Sequence, residues 1–121
     1  MLTFEKRELQ QNAQHVDSDQ LIAGTDYYMV SYAADDFSIP VMESLIFLGV
    51  NIVGEEEKDM SYLYFQDAES YRDGVRMNEK PESGTYNLYR FTPDQLDMIY
   101  EFERALDELL KCSIQRNKNK R

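Results

Sequence analysis

The chain has 121 residues, of which 23 are Asp or Glu and 13 are Lys or Arg, so its formal net charge is −10. A hydrophobic fraction of 42%, with nine tyrosines and six phenylalanines, indicates one domain with a packed core and excludes a disordered chain. The single cysteine excludes an intrachain disulfide, and the apolar runs are too short to cross a membrane.

The expected compartment is the cytoplasm. A lone cysteine, Cys112, fits a reducing environment. The first ten residues, MLTFEKRELQ, contain acids and a glutamine where a signal peptide needs an apolar run. We therefore expect neither secretion nor a membrane anchor.

The charge is distributed unevenly along the chain. Residues 1–110 carry 23 acids and 8 bases, a net of −15, whereas residues 111–121 carry five bases and no acid. This pattern predicts a single acidic domain over residues 1–110, followed by the basic end of the last helix and a tail over residues 111–121. The acidic domain should repel nucleic acid and attract cationic surfaces.

The first third of the chain reads as a helix followed by a strand. Residues 3–22 show heptad spacing of apolar residues and are predicted to be helical in at least one piece. His15 lies beside the apolar face but has no partner at metal-ligand spacing, so a metal site is not predicted there. Tyr27 to Ala33 is rich in strand formers and is bounded by Asp26 and the pair Asp35 and Asp36, which predicts a strand.

Two interpretations remain open for residues 39–48. Ser38 before Ile39 and Pro40 is typical of a helix N-terminus, and Gly49 is typical of a helix end, but the same apolar run also suits extended chain. The following residues predict a hairpin, with strands at 50–53 and 61–66 joined by an acidic turn over 54–59.

A short helix and a further strand are predicted next. Asp67 can cap a helix that continues to Asp73 and ends at Gly74. Residues 78–84 are polar, contain Pro81, and read as a loop. Residues 86–91 alternate as a strand that leads directly into the last helix.

A long helix is predicted over residues 91–110. Thr92 is placed as the N-cap, Pro93 in the first turn, and Gln95 as the capping-box partner. Two adjacent apolar rows follow, formed by Leu96, Ile99, Leu106 and Leu110 and by Met98, Phe102, Ala105 and Leu109. The opposite, solvent-facing edge is predicted to be anionic, interrupted by Arg104, and consists of Asp94, Asp97, Glu101 and Glu108.

These elements predict an α+β fold. The expected architecture is a mostly antiparallel sheet of about four strands, with helices packed on one face and the long helix at the C-terminus. The strand order is not predictable from these patterns.

No motif for catalysis, a cofactor or a metal is present. The acidic run from Glu55 to Asp59 lacks the alternating oxygen ligands and the turn glycine of a calcium loop, and it fits a solvated hairpin tip. There is no glycine-rich phosphate loop and no paired set of Cys or His ligands. An enzyme would require a concave pocket with perturbed carboxylates, so a non-enzymatic protein without metal or cofactor is predicted.

The charge density favours a hypothesis of nucleic-acid mimicry, whose alternative is an ordinary acidic domain. Duplex DNA carries one charge per roughly 1.7 Å of its axis, so a net charge of −15 corresponds to about 25 Å of duplex. A twenty-residue helix has a similar length of about 30 Å. The candidate partner-binding residues are Asp35, Asp36, Glu55, Glu56, Glu57, Asp59, Asp94, Asp97, Glu101 and Glu108.

The chain, from LTFEKRELQQ to FTPDQLDMIYEFERALDELL, resembles small monomeric DNA-mimic proteins that bind the bacterial histone-like protein HU. The resemblance covers size, acidity and general composition and includes no diagnostic motif. It implies a cytoplasmic monomer that occupies the DNA-binding surface of a basic, HU-like protein and competes with DNA without binding nucleic acid itself. The basic tail departs from a uniformly acidic mimic.

A second hypothesis is an immunity or antitoxin protein that neutralises a cationic nuclease. It predicts one tightly bound cognate partner. A mimic of DNA should instead bind a general DNA-binding protein more weakly and with a strong salt dependence.

Overall fold

In the part of the chain that the structure describes, the protein forms a five-stranded antiparallel sheet with two α-helices. The computed structural model describes residues 2–3, 8, 15–54, 59–76 and 86–119. Its elements are β1 (Asp26–Tyr32), β2 (Pro40–Val50), β3 (Leu63–Asp67), α1 (Ala68–Arg72), β4 (Leu88–Phe91), β5 (Ile99–Tyr100) and α2 (Phe102–Asn119). The strand order is β4-β3-β2-β1-β5. The α+β prediction is confirmed, with five strands in place of about four.

One face of the sheet carries the larger core. Residues directly opposite each other in antiparallel strands point to the same face. Leu45 pairs with Tyr27, Phe47 pairs with Phe65, and Met29 pairs with Ile99, so these side chains share a face. Loop residues cover them, and the buried cluster consists of Val16, Tyr27, Leu45, Phe47, Leu63, Phe65, Leu96 and Ile99.

Both helices pack on the opposite face. Helix α2 lies along β1 and β5, where Ala105 packs against Val30 and Tyr100. Helix α1 reaches the same face through Gln66 of β3, whose Nε2 donates to Ser70 Oγ at 2.8 Å. The predicted placement of the helices on one face is thus consistent with the structure.

The two interpretations of residues 39–48 are resolved in favour of extended chain. Strand β2 pairs with β1 over Pro40 to Ile46 and with β3 over Leu45 to Val50. Within the strand Leu45 is 0% and Phe47 is 4% exposed, because both pair with β3 and pack in the core, while Val41 and Met42 near its start are exposed. The reading of a helix capped at Ser38 is therefore wrong.

Strand β1 and helix α1 confirm the sequence predictions. Asp67 caps α1 by accepting the Ser70 N–H at 2.9 Å, and Gly74 follows the helix with a φ of 88°. Burial alone would raise the pKa of the Asp67 carboxyl, but hydrogen bonds from Ser70 and from the Asn87 N–H lower it. The predicted strand at 86–91 is shorter, as β4 begins at Leu88.

The predicted start of the C-terminal helix is wrong. The capping box exists, because the Thr92 N–H donates to Gln95 Oε1 at 3.0 Å, but it caps only a short 3-10 turn over Pro93–Gln95. The chain then forms β5 and enters α2 at Phe102. The basic end does continue the helix, because α2 extends through Asn119.

Some predictions fall outside the described residues. These include most of the helix predicted over 3–22, the acidic run at 55–58 and the loop at 78–84. The predicted 61–66 strand appears as β3, whereas β2 ends at Val50 and no strand covers 51–53. Within the described ranges, none of the helices combines the length and apolarity that a membrane span requires.

Gly49 lies where the pairing register of β2 with β3 shifts, and its backbone requires glycine. Its φ is 149°, which L-residues rarely adopt, and an added Cβ would lie 2.7 Å from Ile52 Cγ2. We expect Gly49→Ala to lower the free energy of unfolding by about 2 to 3 kcal/mol, because backbone strain and a clash with a stiff β-branched side chain combine. Urea denaturation followed by circular dichroism measures this loss.

Gly74→Ala is the matched control, because Gly74 has a φ of 88° but no described atom within 4 Å of an added Cβ. It should cost about 1 kcal/mol from backbone strain alone. Equal losses in the two variants would contradict the proposed close approach at Gly49.

Candidate protein-binding groove

A groove of about 740 Å³ lies where α2 crosses the end of β1. Its walls come from the end of β1, the β1–β2 loop, residues 97–100 and the middle of α2. Four of the predicted partner-binding residues line it, although they come from three separate parts of the chain: Asp35, Asp36, Asp97 and Glu108.

The β1–β2 loop presents two exposed carboxylates. Asp36 Oδ1 accepts hydrogen bonds from the Ser38 N–H at 3.1 Å and from Ser38 Oγ at 2.6 Å, a local turn typical of aspartate. Phe37 adopts a φ of 61°, and its ring lies 5.1 Å from the Tyr32 ring in an edge-to-face arrangement. Arg116 Nε donates to the Ser38 carbonyl at 2.7 Å, which ties the end of α2 to this loop.

Asp97 is held by the turn that leads into β5. The Val30 N–H donates to the Met98 carbonyl at 2.9 Å, which continues the alignment of this segment with β1 beyond β5. The Tyr100 hydroxyl donates to the Asp97 carbonyl oxygen at 3.3 Å. Only the bond from Tyr100 uses the backbone of Asp97 itself, and the residue is exposed.

Glu108 is not on a solvent-facing edge, and that prediction is wrong. The residue is 8% exposed, because the true phase of α2 turns it toward β1. Its Oε2 accepts a hydrogen bond from the Tyr32 hydroxyl, and its Oε1 lies 3.2 Å from Lys111 Nζ. Glu108 therefore belongs to a satisfied, partly buried charge pair at the side of the groove.

Two phenols and one thiol of the groove are held in their protonated forms. Burial, followed by the hydrogen bond to Glu108, raises the pKa of Tyr32 above its ordinary value. Burial and the nearby carboxylates raise the pKa of Tyr100 to about 12. Burial and the charge of Glu108 also raise the pKa of the Cys112 thiol, which keeps it a poor nucleophile. The groove thus offers carboxylates and aromatic rings and no activated thiol.

The remaining predicted residues do not line this groove. Asp94 is exposed in the 3-10 turn, where the Thr92 hydroxyl donates to its carboxylate and lowers its pKa. Glu101 is exposed just before α2, and Asp59 is exposed before β3. Glu55, Glu56 and Glu57 lie outside the described residues.

Pairing of tyrosine hydroxyls with carboxylates was not predicted. Besides the bond from Tyr32 to Glu108, Tyr28 donates to Asp26 at 2.6 Å, and Tyr89 donates to Glu43. The sequence prediction placed Asp26 just outside the strand, whereas β1 begins at Asp26, and its i, i+2 spacing with Tyr28 puts both on one face. The other two pairs join distant segments and left no local signal.

Comparison of the chain with protein-family models, with curated proteins and with solved structures finds no match. Within the described part of the chain, no three His, Cys, Asp or Glu side chains converge in a way that would hold a metal ion. The site is therefore interpreted from its own geometry.

Removal of the Tyr32 hydroxyl tests the buried pair. Tyr32→Phe should lower the free energy of unfolding by about 1.5 to 3 kcal/mol, because it withdraws a hydrogen bond from a buried carboxylate. The effect should be constant from neutral pH to about pH 10 and shrink above it. The reason is that the raised pKa of Tyr32 stabilises the folded state only while the phenol keeps its proton. Urea denaturation at a series of pH values measures the loss of stability and its dependence on pH.

Tyr28→Phe is the matched control, because it removes the same kind of bond from an exposed carboxylate, Asp26. Its cost should stay below about 1 kcal/mol. A Tyr32→Phe variant as stable as wild type would show that Glu108 does not depend on this hydroxyl.

Proposed function

We propose that this protein is a non-enzymatic, acidic ligand of a basic DNA-binding protein of the HU class, and that it occupies the DNA-binding surface in competition with DNA. The observation that carries the proposal is the groove, which gathers exposed carboxylates from distant parts of the chain: Asp35, Asp36 and Asp97. A surface that binds DNA is rich in Lys and Arg, which pair with such a set of anions.

The carboxylates are placed by fixed structure, which supports a binding role. The turn made by Asp36 and Ser38 and the contact of Arg116 with the Ser38 carbonyl hold the β1–β2 loop. The alignment of Met98 with Val30 holds the opposite wall. A preorganised set of charges loses less conformational entropy when it binds.

An exposed aromatic ring beside these charges also fits a binding surface. Phe37 is 62% exposed and lies next to Asp36 in the loop. Large aromatic residues surrounded by polar groups are common energetic centres of protein interfaces. A guanidinium group from a partner would find both a carboxylate and a ring face here.

The exposed acids of residues 94–101 are arranged differently from the helix edge that the sequence predicted. Asp94, Asp97 and Glu101 do not lie on one helix edge, because they flank β5 in a turn and a loop. Their exposure still extends the acidic surface along residues 94–101. The proposed mimicry therefore rests on a cluster of loop carboxylates and on the acidity of residues 1–110, and not on a row of acids along one helix.

The basic C-terminal end is compatible with this proposal. Lys111 contacts Glu108 and Arg116 contacts the Ser38 carbonyl, so two of its basic side chains are engaged within the fold. The proposal also includes a monomer in the cytoplasm, where the single thiol of Cys112 remains reduced.

A DNA-displacement titration with HU tests the proposal. Micromolar wild-type protein should displace DNA from HU at low salt and do so less well at high salt, because the attraction is between dense opposite charges. The triple variant Asp35→Asn, Asp36→Asn and Asp97→Asn should weaken displacement by about tenfold, because three exposed charges at about half a kcal/mol each amount to about 1.4 kcal/mol. Asparagine at position 36 keeps the acceptor for Ser38.

A triple variant with the same charge change is the control. Asp17, Asp19 and Asp73 are exposed acids outside the groove, and their change to Asn should alter displacement by less than about threefold. Equal losses in both triples would show that total charge, and not the groove, carries binding.

Asp94, Glu101 and the Glu55 to Asp59 run are neutralised in parallel, with circular dichroism of each variant. An HU–DNA complex left intact by wild type at low salt would refute the HU assignment and favour the immunity hypothesis.

A further inference from the structure

Strand β2 extends beyond its neighbour β3. It runs from Pro40 to Val50 and pairs with β1 from Pro40 onward, but it pairs with β3 only from Leu45 onward. Residues 40–44 therefore have a strand on one side, and none of the described residues forms a strand on the other. Such an open edge is a template for a further strand.

The backbone groups at this open edge belong to Met42 and Ser44. The Ala33 N–H donates to the Ile39 carbonyl at 2.9 Å, which makes this a hydrogen-bonded pair. Hydrogen-bonded pairs alternate along an antiparallel ladder, so Val41 and Glu43 also direct their backbone groups toward β1. The N–H and C=O groups of Met42 and Ser44 consequently point away from β1, toward the open edge.

A cavity of about 750 Å³ lies beside this edge. It occupies the corner where β3 ends at Asp67 and the chain turns into α1. On one face of the sheet the Tyr89 hydroxyl donates to Glu43, and on the other face lies α1. A five-residue strand is about 17 Å long, which is the length of the open segment.

We propose that the edge of β2 at residues 40–44 accepts an extended, Lys- or Arg-bearing segment of a partner protein as an added strand. Charge complementarity specifies this occupant, because the cavity is lined by Glu43, Asp67 and Glu69 against Arg72 alone. A second copy is disfavoured, because pairing of two such edges brings the Glu43 carboxylates of both copies together. The site uses backbone pairing and is separate from the groove, so it does not rest on the proposed function.

The probe is a synthetic peptide, acetyl-Lys-Val-Lys-Val-Lys-Val-Lys-amide, added to the ¹⁵N-labelled full chain. Hydrogen exchange should show that the amides of Met42 and Ser44 exchange quickly in the free protein and become at least tenfold slower with peptide. The amides of Val41 and Glu43, already bonded to β1, should change little. A peptide methylated at every backbone nitrogen has the same charge and should not bind.

Two substitutions at one position complete the test. Ser44→Pro removes an edge N–H that makes no bond to β1, so the fold should persist and peptide binding should fall at least tenfold. Ser44→Ala keeps the N–H and should bind like wild type.

Unchanged exchange at Met42 and Ser44, or equal binding of the methylated peptide, would overturn the proposal. A dimer in sedimentation that excludes the peptide would overturn it in favour of a second copy. Peptide binding alongside failed DNA displacement would refute only the proposed function.

Discussion

The fold depends on two consecutive residues that fill two different cores. Ile99 is 0% exposed and packs in the cluster on the loop-covered face of the sheet, whereas Tyr100 packs in the cluster beneath α2. Neighbouring side chains point in opposite directions only in a strand. Pairing of these residues with Met29 and Tyr28 therefore forms β5 and delays the helix until Phe102.

The position of the helix start determines where the carboxylates lie. With α2 beginning at Phe102, Ala105, Glu108 and Cys112 face the sheet, and Glu108 becomes a buried partner of Tyr32. A buried carboxylate needs hydrogen bonds to remain charged, and the Tyr32 hydroxyl and Lys111 supply them. The exposed carboxylates that line the groove are therefore those of the loops, Asp35, Asp36 and Asp97.

Local signals in the sequence predicted the elements whose structure is local. The cap of α1 at Asp67, the strand predicted at 27–33 and the capping box at Thr92 all depend on residues within a few positions. All are present, with the strand observed at Asp26–Tyr32. Strand β5 was missed because Leu96 to Leu110 fits a helical period, and only the pairing with β1 overrides it. The choice between helix and strand at 39–48 likewise required the neighbouring strands.

The candidate site was predictable only in part. Composition made the acidic residues the candidates for binding, and Asp35, Asp36 and Asp97 were among those named from the sequence. Their convergence joins positions about sixty residues apart, and this separation has no local signature. Glu108 was misassigned because it was grouped with Asp94, Asp97 and Glu101, which lie outside α2. Within α2 it lies one turn from Ala105 and from Cys112 and shares their buried side.

The central claim is that a cationic partner contacts this groove, and NMR titration of the ¹⁵N-labelled protein with HU tests it most directly. The account predicts that the amide signals of Asp35, Asp36, Phe37 and Asp97 shift first, with smaller changes at Asp17, Asp19 and Asp73. Shifts confined to the residues around Asp17 and Asp73, with the groove unchanged, would contradict it.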